Sequence, residues 1–226
     1  MDIETARFNM IEQQIRPWEV LDQTVLGLLA SVRREDFVPP ALRAMAFMDT
    51  QVPLPNGDNP APGACMLEPK VEARLLQALA VQRHERVLEI GTGSGFMAAL
   101  LAHRAQQVTT LECRPALAQM ARDSLRRNGV VNATVRDVSA AAGALGLAVE
   151  APFDAIVLSG SVAAVPQALL QQLAPGGRLV AIVGELPIMR ARLMRRVGDT
   201  AWSEIELFDT VAPRLEGFAE TPRFRF

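Results

Sequence analysis

An α/β fold, with a mostly parallel sheet flanked by helices, an antiparallel edge and an N-terminal helical segment, is what this chain of 226 residues predicts. Three observations carry that reading. From Arg86 onward, apolar runs of strand length alternate with helix-periodic segments, which implies parallel pairing and right-handed crossovers. The last two β-like runs have no helix between them, so they pair antiparallel. The residues before Asp36 show helical spacing only.

Taken in order, Ala6, Met10, Ile11 and Ile15 mark one face of a helix that starts at Ile3 and ends at Arg16-Pro17. A second periodic stretch runs from Leu21 to Val32. Thr50 to Pro69, broken by Pro53, Pro55, Pro60, Pro62 and Pro69, reads as one long irregular loop, and loops of that length are usually functional or disordered. The alternation then begins with a strand Arg86 to Ile90, a helix Ser94 to Ala105, a strand Gln107 to Cys113 and a helix Pro115 to Asn128. Proline suits that helix's first turn and Gly129 its end. Strands Ala133 to Asp137 and Phe153 to Ser159, a helix Val165 to Ala174 and a strand Arg178 to Gly184 follow. Met189 to Val197 and Ser203 to Val211 form the edge pair. Residues 1–80 are expected to form N-terminal helices and a loop packed on a main domain of 81–226.

Val87-Leu88-Glu89-Ile90-Gly91-Thr92-Gly93-Ser94-Gly95-Phe96 joins the first of those strands to its helix. Alternating glycines there leave no Cβ in the way, so a ligand can approach the backbone amides closely. A dinucleotide fingerprint would need glycine where Phe96 stands, and no Gly-Lys-Ser/Thr follows to make a P-loop. The pattern E-x-G-x-G-x-G resembles the motif of class I S-adenosylmethionine-dependent methyltransferases, which implies a Rossmann-like sheet, S-adenosyl-L-methionine as cofactor and S-adenosyl-L-homocysteine as product. The resemblance makes Glu89, Gly91, Thr92, Gly93, Ser94, Gly95 and Phe96 cofactor-binding candidates, with Glu89 facing the methionine amino group. Glu112 closes the second strand, where a carboxylate can accept hydrogen bonds from both ribose hydroxyls, and Cys113 stands beside it. Asp137 and Val138, at the end of the third strand, are candidates for the adenine, the first through its side chain and the second through its backbone amide.

Composition fits such an enzyme. Half the residues are apolar, yet no uninterrupted apolar run approaches the roughly 18 needed to span a membrane. A formal charge of −2 supplies no field that would gather nucleic acid. The acidic start Met1-Asp2-Ile3-Glu4 does not look like a signal peptide, so a cytoplasmic protein is expected. Cys65, Cys113, His84 and His103 show no metal-ligand spacing, and neither a metal site nor a disulfide is expected.

Further blocks narrow the reading. Val32-Arg33-Arg34-Glu35-Asp36-Phe37-Val38-Pro39, Asp49-Thr50-Gln51-Val52-Pro53-Leu54, Pro152-Phe153-Asp154-Ala155-Ile156 and Leu173-Ala174-Pro175-Gly176-Gly177-Arg178-Leu179-Val180, together with the glycine motif, resemble the protein-L-isoaspartate O-methyltransferase family. That family methylates the side carboxylate of an abnormal isoaspartyl residue to start its repair. Its acceptor loop carries a block resembling Gly-Gln-Thr-Ile-Ser, one residue before a proline, and the hydroxyls help hold the acceptor carboxylate and the cofactor. The aligned residues are Gly63-Ala64-Cys65-Met66-Leu67-Glu68-Pro69, beside an apparent insertion, Asp58 to Pro62. Cys65, Met66 and Leu67 therefore face the acceptor without the family's hydroxyls, which reads as a remodelled pocket.

A sulfonium methyl is already activated, so transfer asks mainly for an in-line nucleophile and a dry site. An alcohol or amine acceptor would want a general base, and only Glu68 lies near the loop, which favours an acceptor that is already anionic. Transfer to an oxygen, with carboxylate leading, is the expected reaction, and the acceptor is a protein, a peptide or a small molecule. An offshoot with another acceptor, and a non-catalytic binder of the cofactor, stay open at this point. Lys70, and Ser159 with Ser161, are the side chains that could replace the lost donors, while Arg214 aligns loosely with a C-terminal substrate-facing segment of the family and reads more simply as a surface arginine. The tail Phe218 to Phe226 could cover the site or an interface.

Overall fold

The computed structural model describes residues 2–56 and 59–220. Helix α1 (Ile3–Asn9) is capped by Asp2, whose carboxylate accepts from the Glu4 and Thr5 amides. It continues as a π-helical stretch, Met10–Ile15, and a 3-10 turn, Arg16–Trp18, so the predicted single helix is a composite that Pro17 still ends. Helix α2 (Gln23–Ser31) begins after its cap Asp22, which leaves Leu21 outside it.

The segment Thr50 to Pro69, expected to be irregular, forms a hairpin instead. Strands β1 (Val52–Asn56) and β2 (Asn59–Met66) pair antiparallel, with a register shift between Pro53 and Pro55. Prolines are tolerated because each strand of a two-stranded sheet has an open edge toward which a missing N–H can face. Of the apparent insertion, Asp58 lies outside the described residues. Helix α3 (Pro69–Leu79) has no counterpart among the predicted elements; Val71, Leu75, Leu76 and Leu79 form its buried stripe, and Glu72 interrupts that stripe.

The main sheet comprises β3 (Arg86–Ile90), β4 (Gln107–Glu112), β5 (Ala133–Asp137), β6 (Phe153–Val162), β7 (Leu173–Glu185), β8 (Ile188–Arg196) and β9 (Trp202–Thr210), in the order β5-β4-β3-β6-β7-β8-β9. Pairing is parallel from β5 to β7 and antiparallel from β7 to β9, as the alternation implied. Connecting helices are α4 (Phe96–Ala102), α5 (Pro115–Arg127), α6 (Ala140–Ala144) and α7 (Gln167–Leu170). The last is shorter than predicted because Leu173 already pairs with Phe153 in the sheet.

Side chains along the central strands alternate between two cores, as a period of two requires. Val87, Ala155, Val157 and Val180 join the core under α3, α4 and the N-terminal helices, whereas Leu88, Ile156, Leu158 and Leu179 join the one under α6 and α7. The chain runs outward from β3 to β5 and then returns to the other side of β3 with β6. That reversal opens a crevice at the carboxyl ends of β3, β4 and β6, the usual ligand position in an open α/β sheet.

Candidate active site

The glycine loop lies in that crevice. Gly91 donates its amide to the Leu111 carbonyl at 2.9 Å and sits at φ +92°; a Cβ there would come within 2.7 Å of Leu215 Cδ2. Gly95 serves packing instead, since a Cβ at its φ of +86° would stand 3.3 Å from Ala121 Cα on α5. Thr92 and Thr110 share a hydroxyl hydrogen bond of 2.6 Å, and Ser94 Oγ accepts from the Phe96 amide at 3.3 Å. Phe96 is buried against Phe37, under the Arg34 guanidinium 5.0 Å from its ring centroid. These side chains build the floor of the loop.

Glu112 ties two strand ends together. Its carboxylate accepts from the Gly93 amide at 2.9 Å and from the Cys113 and Arg114 amides at 3.0 Å each. The cleft it borders has about 680 Å³ of empty space, open solvent at the mouth included, a size suited to a nucleoside cofactor. Gly91, Gly93, Glu112, Cys113 and Val138 share its wall with Cys65, Leu67, Ser159, Gly160 and Leu215. Burial, then Glu112, pushes the Cys113 thiol up to about 11, so it stays neutral. Asp137 is not part of the wall; its carboxylate pairs with Arg122 of α5.

Behind the loop lies a smaller chamber of about 310 Å³, walled in part by Thr92, Ser94, Phe96, Met66, Glu72 and Glu89. Glu89 is fully buried and accepts from Ser159 Oγ at 2.7 Å and Thr110 Oγ1 at 2.8 Å. Burial pushes its carboxyl up to about 8, opposed by those hydroxyls and reinforced by Glu72 and Glu112. Burial likewise raises Glu72 to about 7, against the pull of Arg34, with which it pairs. Arg34 also donates to the Leu67 carbonyl at 2.7 Å, fixing the segment after β2 and α3 to each other. Sequence reasoning missed Glu72, whose one signal is an acid inside the apolar stripe of α3.

At the end of β2, the Cys65 thiol donates to Gln51 Oε1 at 3.5 Å. Burial, then Glu68 and Glu72, holds it up at about 12, so it is a neutral donor and not a thiolate. Leu67 is buried in the wall, while Met66 lines the inner chamber and not the cleft. Lys70 is engaged elsewhere, 2.6 Å from Asp49 Oδ2 and 4.0 Å from the Trp18 ring centroid. Ser161 anchors a strap, Ala212 to Gly217, across the end of β6. Its amide donates to the Pro213 carbonyl at 2.8 Å, its hydroxyl to the Ala212 carbonyl at 2.8 Å, and its own carbonyl accepts from Leu215 at 2.9 Å. Arg114 pairs with Glu216 of the strap. Phe218 packs into the core beneath α6 and α7, and residues 221–226 of the tail lie outside the described residues. Among the described residues no three histidine, cysteine or acidic side chains are grouped to hold a metal ion, and no helix is long and apolar enough to cross a membrane.

The model of the family described as Protein-L-isoaspartate(D-aspartate) O-methyltransferase matches residues 5–207. The chain belongs to this family. It is 42% identical to Protein-L-isoaspartate O-methyltransferase 1 of Syntrophobacter fumaroxidans over 82% of each chain. With the Protein-L-isoaspartate O-methyltransferase of Roseiflexus castenholzii it shares 38% identity over 98% of this chain and 97% of that one. A solved protein-L-isoaspartate O-methyltransferase superposes with a TM-score of 0.77 at 20% identity, covering 95% of this chain and 66% of that longer one. A structure from Plasmodium falciparum, described as a putative protein-L-isoaspartate O-methyltransferase in complex with S-adenosyl-L-homocysteine, gives 0.73 at 18% identity and covers 96% of this chain and 99% of that one. As a member of the isoaspartate methyltransferase family, the chain is an S-adenosylmethionine-dependent methyltransferase with the class I sheet its sequence implied.

Proposed function

We propose that the cleft takes S-adenosylmethionine with its ribose on Glu112, its adenine against Val138 and its methionine amino group toward Glu89, and transfers the methyl group to the side carboxylate of an isoaspartyl residue in a protein or peptide. The observation that carries this reading is the geometry of Glu112. Three backbone amides hold its carboxylate rigidly at the switch point, in the wall of a cleft that runs on to Cys65 and Leu67. The relatives' names and the Plasmodium falciparum complex support the same cofactor and acceptor.

The chemistry asks little of the protein. A carboxylate oxygen attacks the methyl carbon, the new C–O bond forms as the C–S bond breaks, and the electron pair stays on sulfur. A neutral ester and a neutral thioether result, with no proton to move, so the transfer needs no general base. The protein aligns the two reactants and keeps water out, through Gly91 and Gly93 on the cofactor side and Leu67 and Leu215 on the other. In this division of labour residues 1–80 supply much of the acceptor side and residues 81–226 the cofactor side. Free Cys65 and Cys113 suit the reducing cytoplasm.

The test is transfer of labelled methyl to two peptides of one sequence, joined through either the α- or the side carboxyl of a single aspartate. Label should enter only the isoaspartyl peptide and leave as methanol on mild base treatment. Label in neither peptide, or in both equally, would reject the acceptor.

A further inference from the structure

On that reading the cleft must receive an anion, yet its wall already carries Glu112 and Glu216, the Cys65 thiol is spent on Gln51, and Leu67 has no donor. A carboxylate entering there needs a cation or strong donors, because leaving it without partners after desolvation is costly. The arginines in the wall are Arg114 and Arg214. Arg114 is committed to Glu216, whereas no carboxylate of the described residues pairs with Arg214.

Arg214 is held in a prepared position. Its backbone bridges Ser161, which donates to the Pro213 carbonyl and accepts from the Leu215 amide on either side of it, and its Nη2 donates to the Gly184 carbonyl at 3.0 Å. Nη1 is shut off from solvent and has no hydrogen-bond partner. A guanidinium nitrogen left empty while its neighbour is fixed is a donor waiting for an acceptor, and a carboxylate is the group that best fits the guanidinium fork.

On the reading that the acceptor is a carboxylate, we propose that Arg214 is the residue that binds and orients it, in place of the donors Cys65 and Leu67 do not supply. The role differs from that of a group acting only on the transition state. The carboxylate gives up its charge as the ester forms, so Arg214 holds the acceptor at least as tightly before transfer as during it, and releases the neutral product readily.

The experiment uses the full chain with Arg214→Met and Arg214→Lys, an isoaspartyl peptide as acceptor, and calorimetry with S-adenosylhomocysteine. Losing charged hydrogen bonds should raise KM for the peptide about tenfold or more in Arg214→Met, while kcat and S-adenosylhomocysteine affinity stay within about twofold. Arg214→Lys, which keeps the charge but not the fork, should fall between. Should methionine loosen the strap, the lysine variant decides once its unfolding midpoint matches that of the unaltered chain, because with the strap intact a merely structural arginine would leave KM unchanged. An unmoved KM in both variants overturns the role, as does a fall in kcat and cofactor affinity with KM constant. No turnover of the isoaspartyl peptide by the unaltered chain would instead reject the acceptor reading, and this role with it.

Discussion

The cofactor end of the cleft is held by backbone groups from neighbouring strand ends, whereas the acceptor end is assembled from side chains far apart in the sequence. At the first, amides of Gly93, Cys113 and Arg114 converge on the one carboxylate of Glu112. At the second, Leu67 depends on Arg34, Arg34 on Glu72, Cys65 on Gln51, and the strap on Ser161. A device made of backbone geometry constrains its sequence tightly, because few residues fit. A device made of side-chain partners can be refitted one residue at a time.

The largest expected effect lies at the base of the acceptor end. Arg34 is 1% exposed, so Arg34→Met leaves the buried Glu72 carboxylate without a counter-charge and should lower stability by about 3 to 5 kcal/mol in urea unfolding. Removing both charges, as Arg34→Met with Glu72→Leu, should recover most of that loss. A double variant as unstable as the single would mean that the contact with the Leu67 carbonyl, and not the ion pair, holds this end together.

Glu112→Ala should be smaller and confined to the other end. Loss of the ribose partner weakens S-adenosylhomocysteine binding by roughly 1.5 to 3 kcal/mol, read by calorimetry. Peptide KM should hardly move, because the acceptor wall does not rest on Glu112. Equal damage to both substrates would erase the distinction between the two ends.

The extent to which each end could be read from sequence follows the same division. The strand, the glycine loop and Glu112 form a local pattern, and the sheet order follows from strand and helix alternation. The hairpin from Val52 to Met66 was hidden because its prolines look like a loop until the partner strand is seen. Glu72, Arg34 and the free nitrogen of Arg214 have meaning only once distant segments meet. Asp137, expected at the adenine, also pairs with Arg122 of α5, a partner that its position at a strand end does not reveal.

Cofactor binding should depend on pH through Glu89. With its carboxyl raised from 4.5 to about 8, the empty site holds that proton at neutral pH. An ammonium placed beside it displaces the proton, so affinity should rise with pH, by at most about tenfold per unit, and level off near 8. Glu72, raised to about 7 in the same chamber, adds a weaker component at lower pH. By the same shift the empty protein loses stability as pH climbs from about 4.5 toward 8. Glu89→Gln should flatten the affinity profile; an equally steep profile in that variant would assign the titration to another group.

The smallest effect belongs to the loop itself. Cys65→Thr with Leu67→Ser adds neutral donors beside a site that already has a cation, so kcat/KM on an isoaspartyl peptide should rise only by roughly 2- to 10-fold at unchanged cofactor affinity. A loss of activity would instead mean that Leu67 contributes apolar contact to the acceptor.

A crystal structure of the chain with S-adenosylhomocysteine and an isoaspartyl peptide bound together tests the division of the cleft most directly. The account expects the ribose on Glu112, the sulfur between Gly91 and Leu67, and the peptide carboxylate in line with it beside Arg214. An adenosine bound away from Glu112, or a carboxylate that reaches the sulfur from outside the Leu67 and strap wall, would contradict it.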